Sequence, residues 1–177
     1  MKRVVLLAMI ASSFVACGGS GPAGPDTDGG ASGEFIAFTT TFEPFRTWTS
    51  FHSDGPPDDG TYTPDVLGPR TQYINKLPPS GSKEFPIGTV IVEVRENGTG
   101  NIFGAVKRGN HFNQTGAANW EWFDIFENPV SIHWRGLGPP AGEKYGGDPN
   151  GGCNACHIAC GLMNDYVCSS KLQLASF

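Results

Sequence analysis

The sequence predicts an α+β domain, an antiparallel β-sheet with short flanking helices, and three observations carry that prediction. Thr89-Val90-Ile91-Val92-Glu93-Val94-Arg95 is rich in β-branched residues and lies between turn formers, Pro86 and Gly88 before it and Asn97-Gly98 after it. Asn97-Gly98 is a hairpin signal, and residues 102–107 (Ile-Phe-Gly-Ala-Val-Lys) read as the returning strand. Finally, 25 Gly and 14 Pro leave no room for a bundle of long helices.

The elements follow in chain order. Met1-Lys2-Arg3 is a basic start, residues 4–15 are apolar apart from Ser12 and Ser13, and Ala16 precedes Cys17. This is the anatomy of a secretory leader. Its core is shorter than the roughly 20 apolar residues a membrane-spanning helix needs. Cys17 after Ala16 resembles the lipobox of bacterial lipoproteins, in which the thiol is lipidated and becomes the first mature residue. Gly18, rather than Asp, favours the outer membrane as the destination. Residues 1–16 are therefore expected to be a lipoprotein signal peptide. Residues 17–33 are the lipidated Cys and a Gly/Pro/Ser tether that cannot bury apolar area. Residues 34–177 form the domain.

Within the domain, residues 42–51 are expected to form a short helix with Phe45, Trp48 and Phe51 on one face. Residues 53–69 are rich in Pro, Asp and Gly and read as a loop. Residues 70–74 are expected to be a strand, and so are residues 120–126, whose aromatic side chains fall on both faces. Residues 136–152 are again Gly and Pro rich, and the segment from Cys153 is expected to hold one short helix. All four Trp and eleven of the twelve Phe, all but Phe14, supply material for a core. Twelve Lys and Arg against 17 Asp and Glu give a formal charge of −5, and losing Lys2 and Arg3 with the leader makes it −7. An acidic chain without a basic run is not expected to bind nucleic acid.

The chemistry concentrates in Cys153-Asn154-Ala155-Cys156-His157. C-x-x-C-H is the attachment signature of c-type haem: two thiols form thioethers to the macrocycle and the adjacent His becomes an axial iron ligand. The leader independently supplies the oxidising compartment that such attachment needs. A zinc site drawing on Cys160, or a redox dithiol, is the alternative. Cys160 and Cys168 remain, and an oxidising compartment favours a disulfide between them over a metal or redox thiol pair. For the second face of the iron, Met163 stands too near His157, which leaves His52, His111 and His133 as upstream candidates.

The order of these motifs resembles the cytochrome P-460 family. The stretches that carry the likeness are Phe45-Arg46-Thr47-Trp48, Arg70-Thr71-Gln72-Tyr73, Phe85-Pro86-Ile87-Gly88-Thr89-Val90-Ile91-Val92-Glu93, Phe103-Gly104-Ala105-Val106-Lys107, the aromatic run from Gly116 to Phe123, Cys153 to His157, and Asn164-Asp165-Tyr166-Val167. The resemblance covers most of residues 42–174. It implies one haem c packed on the sheet, and a homodimer.

The family's hydroxylamine-oxidising members carry a Lys bonded to the haem and a distal carboxylate. The resemblance places Glu93 and Phe103 at those two positions and Arg70 at the distal Arg. A carboxylate cannot make the amine bond, and Phe cannot act as a base. The chain is therefore closer to the uncross-linked cytochrome c′-beta branch, whose apolar distal face binds nitric oxide. Since a one-residue slip moves every strand side chain to the opposite face, Lys76, Lys83 and Lys107 stay as alternative amines. By the same alternation Glu93 and Arg95 are equally readable as the wet face of a strand, and Arg70 as a surface ion-pair residue.

The expected function is that of a lipid-anchored envelope cytochrome binding nitric oxide or a similar small ligand at an open haem site. A hydroxylamine or nitrogen-oxide oxidoreductase and an electron-transfer cytochrome with a redox partner protein are the alternatives. No residue is assigned as catalytic.

Overall fold

The computed structural model describes residues 33–54, 68–96, 102–136 and 152–177. The leader, Cys17 and nearly all of the tether lie outside them, as do the Asn97-Gly98 turn and most of the two Gly- and Pro-rich stretches. No helix among the described residues is long and apolar enough to cross a membrane.

Six strands form one antiparallel sheet in sequence order: β1 (Thr49–Ser53), β2 (Arg70–Ile74), β3 (Val90–Arg95), β4 (Ile102–Lys107), β5 (Trp120–Glu127) and β6 (Val130–Arg135). The helices are short, α1 (Thr39–Phe42) and α2 (Gly152–Ala159), so the class is α+β. Strands β2 to β5 stand where the sequence places them.

The helix expected over residues 42–51 is not there. α1 ends at Phe42, a single 3-10 turn covers Phe45–Thr47, and the chain is extended from Thr49. Pro44 has no N–H to continue the helical ladder. The backbone of Thr49–Ser53 finds its partners in β2 instead, with Phe51 opposite Gln72.

Strands β2 to β5 divide their side chains between two cores, because successive residues point to opposite faces. On one face Val90, Val92, Ile102, Val106, Phe123 and Ile125 pack with Phe42 and Phe45. On the other, Ile74, Ile91, Trp120 and Trp122 pack with Phe85, Val167, Leu172 and Leu174. Fully burying such side chains contributes about 1.5–3 kcal/mol each. The second face thus carries the C-terminal segment. The register on that face sets Gln72, Glu93, Phe103 and Asp124 in one cross-strand row, with Arg70 and Arg95 paired in the next.

The first face also holds buried charge. The Glu121 carboxylate accepts from the Arg135 guanidinium and, at 3.1 Å, from Arg108 Nη1. Arg108 Nε donates to Glu34 Oε1 at 2.7 Å, and the Phe35 N–H donates to the Arg108 carbonyl at 2.8 Å. These bonds tie the first described residues to the sheet. A buried carboxylate is tolerable because it is paired.

Two outcomes are expected. A Cβ on Gly104 would stand 3.0 Å from both Ile125 Cδ1 and Phe42 Cε1. Gly104→Ala should therefore cost about 1–3 kcal/mol by overpacking, read as a lower midpoint in urea unfolding. The second concerns Glu34, which the Arg108 hydrogen bond holds below the ordinary value of 4.5. A lowered carboxylate contributes stability above its unfolded pKa and loses it as pH falls through its folded pKa. Glu34→Gln should lower stability at neutral pH by less than about 1 kcal/mol, and the difference should vanish in unfolding curves taken well below pH 4.5.

Candidate functional site

A cavity of about 340 Å³ lies between the second sheet face and α2. One wall is built from Cys153, Cys156 and His157, the other from Arg70, Glu93, Phe103 and their strand neighbours. Positions i, i+3 and i+4 share one face of a helix, which is why α2 presents the two sulfurs and the imidazole together.

Asn154 locks α2 to the sheet. Its Oδ1 accepts from Asn113 Nδ2 at 2.6 Å and from the Trp122 indole N–H at 3.0 Å, and its Nδ2 donates to Asn113 Oδ1 at 3.2 Å. Asn113 sits in the β4–β5 connection, where Asn110, His111, Asn113 and Asn119 adopt left-handed backbone angles. Among residues with a side chain, Asn is the type that takes this conformation with least strain.

His157 Nδ1 lies 2.7 Å from the Tyr166 carbonyl oxygen. A carbonyl only accepts, so Nδ1 carries the proton and Nε2 keeps the lone pair. The ring stacks on Trp122 with centroids 3.9 Å apart and planes at 25°. Burial disfavours the imidazolium and takes the pKa down to about 4, against the opposing pull of the Tyr166 bond. A neutral imidazole with one nitrogen tied to a carbonyl is the state in which His ligates a metal.

Cys160 and Cys168 are joined as a disulfide with Cα atoms 5.4 Å apart. This removes Cys160 from any zinc set built on Cys153 and Cys156. Among the described residues no cluster of three or more His, Cys, Asp or Glu is gathered as a metal-ion site. Nor does α2 open from a parallel βαβ unit, the setting of a redox dithiol. The donor set at the cavity, two cysteines outside the disulfide and one neutral His, fits haem c: Cys153 and Cys156 for the thioethers, His157 Nε2 for the iron.

On the opposite wall Glu93 is the hub. Its Oε2 accepts from Gln72 Nε2 at 3.1 Å and stands 3.3 Å from Arg70 Nε, while its Oε1 stands 3.7 Å from Arg95 Nε. The Ser169 hydroxyl donates to Gln72 Oε1, which joins this network to the C-terminal segment. The Arg95 guanidinium lies over the Phe103 ring at 4.5 Å from its centre. Glu93 and Arg95 are thus no wet strand face; both line the cavity and are largely enclosed. Arg70 is 3 % exposed, so it is no surface ion-pair residue either.

The other sequence candidates lie elsewhere. Lys107 is buried on Asp165, Lys76 donates to the Ile87 carbonyl at 2.7 Å, and Lys83 is exposed. His52, His111 and His133 are exposed, His52 against Asp54 and His133 against Asp124. Met163 is 94 % exposed. None of these seven is among the residues that line the cavity.

Gln72, Trp122, Asn154 and Ser169 were not singled out by sequence, and Arg95 only as the wet face of a strand. Period-two alternation from Arg70 and Glu93 places Gln72 and Arg95 on the same face, so for those two a signal existed. No family model, curated protein or solved structure matches the chain.

Asn154→Ala should strip the Trp122 indole N–H of its acceptor and release the start of α2. The expected cost is about 1–3 kcal/mol. Faster amide hydrogen exchange in α2 than in β3 would report that release.

Proposed function

We propose that the chain is a c-type cytochrome that binds nitric oxide or a similar small ligand at an open haem site. One observation carries the reading. The haem-attachment triad and the three residues Arg70, Glu93 and Phe103 share a single cavity, and among the described residues no second His, no Met and no Lys lines it.

Cys153 and Cys156 would hold the haem covalently and His157 would ligate the iron through Nε2. When bound, the haem would supply an iron able to take up a small diatomic ligand. The chain's own residues then determine what enters. Phe103 presents an apolar ring to the cavity and offers no base. Arg70 offers N–H donors, and Glu93 fixes that guanidinium from the side with the help of Gln72 and Arg95. The absence of a lysine from the described lining supports the uncross-linked branch of the cytochrome P-460 resemblance. For the same reason hydroxylamine oxidation is the less favoured reading. Export, lipidation at Cys17, placement at the outer membrane, a redox partner protein and a homodimer belong to this proposal.

Optical spectra of the purified protein test it: oxidised, reduced, and reduced with carbon monoxide. A c-type reduced spectrum that shifts with carbon monoxide is expected. A spectrum indifferent to carbon monoxide would mean a sixth protein ligand and an electron carrier. A strongly red-shifted reduced Soret band would mean a lysine cross-link and the nitrogen-oxidising reading. Absence of any haem would overturn the site assignment.

Arg70→Ala should leave haem attachment intact and speed nitric oxide release by up to roughly tenfold, the worth of one hydrogen bond. Stopped-flow displacement measures this, and unchanged off-rates would remove Arg70 from the distal role.

A further inference from the structure

The buried pair Lys107–Asp165 lies outside the cavity, yet a short chain of bonds joins it to His157. Lys107 ends β4 on the sheet face that carries Phe103 and Ala105, and only 2 % of its side chain is exposed. Its Nζ donates to both oxygens of Asp165, at 2.6 and 2.7 Å, and lies 5.4 Å from the centre of the Trp120 ring. The Phe85 N–H donates to Asp165 Oδ2 at 2.9 Å. Burial pushes the Asp165 carboxyl up, and the Lys107 ammonium pulls against that rise.

Asp165 and its neighbour Tyr166 both adopt left-handed backbone, with φ of 49° and 63°. Asp tolerates this region, but a Tyr there is a strained outlier that persists only where its surroundings hold it. The Tyr166 N–H donates to the Gly161 carbonyl at 2.9 Å. Its own carbonyl is the acceptor of His157 Nδ1–H.

We propose that Lys107 is a positioning residue for His157. By clamping Asp165 it holds the left-handed corner whose next carbonyl fixes the tautomer and orientation of the imidazole. The inference rests on the reading of His157 as the axial ligand. A carbonyl acceptor on Nδ1–H raises the donor strength of Nε2, so slackening the corner weakens and disperses the bond that Nε2 makes.

The test uses the haem-loaded, full-length protein with Lys107→Met and Asp165→Asn, and Ile132→Ala as a destabilising control in the opposite core. Covalent haem is counted by its pyridine haemochrome, and the ferrous iron–histidine stretch is read by resonance Raman. Both test variants should keep wild-type haem content. Their stretching band should fall in frequency and broaden, the reduction potential should rise, and Ile132→Ala should move neither. If Lys107→Met fails to fold, Asp165→Asn decides, because Asn keeps the size and the left-handed tolerance of Asp. An unmoved band in the haem-loaded variants, or an equal movement in Ile132→Ala, would overturn the positioning role and leave the site reading standing. A wild-type protein without covalent haem would overturn both.

Discussion

The period-two alternation of β2, β3 and β4 is the constraint on which the rest of the site depends. Their antiparallel register brings Arg70, Glu93 and Phe103 to one face, and the same alternation sends Val90, Val92 and Ile102 to the core behind them. A slip of one residue would exchange the two sets and put carboxylate and guanidinium groups into the Phe42–Phe123 core. The Phe42–Phe123 core therefore pins the side chains that face the cavity. No interaction inside the cavity has to fix which side chains enter it.

Against this rigid wall α2 and the C-terminal turn are set by polar contacts. Asn154 grips Asn113 and the Trp122 indole; the Tyr166 carbonyl grips His157; Ser169 reaches Gln72. Both sides of the cavity are thus cross-braced through the same short segment. A change in the turn at Asp165–Tyr166 has a path to the imidazole, and a change at Ser169 has one to Glu93. Each bond is modest alone, and the arrangement gains its definition from their mutual support.

The central strands were legible because β-branched runs ended at turn residues, as at Thr89–Arg95. β1 was not: Thr-Ser-Phe-His-Ser has weak strand character, and the spacing of Phe45, Trp48 and Phe51 imitates a helical face. β6 passed unread as well, a six-residue strand set directly behind Pro129. In the site, C-x-x-C-H declared itself by chemistry, and Arg70, Glu93 and Phe103 followed from the order of the motifs. Trp122 and Asn154 carried no signal, because a Trp in an apolar run reads as core and an Asn between cysteines reads as filler. Their roles exist only once α2 has been folded back onto β5.

The Cys160–Cys168 disulfide also bears on how the molecule matures. A 16-residue stretch, 153 to 168, holds four thiols, and four thiols can pair in three ways. Only the pairing that couples Cys160 with Cys168 leaves Cys153 and Cys156 together, where at worst they close on each other and a reductant can reopen them. Either of the other two pairings would put Cys153 and Cys156 into separate disulfides, where neither could take the thioether role proposed for it. On the proposed reading of an exported chain, the order in which these four thiols oxidise therefore matters. The early closing of one small loop would act as a sorting step that keeps the reactive pair available.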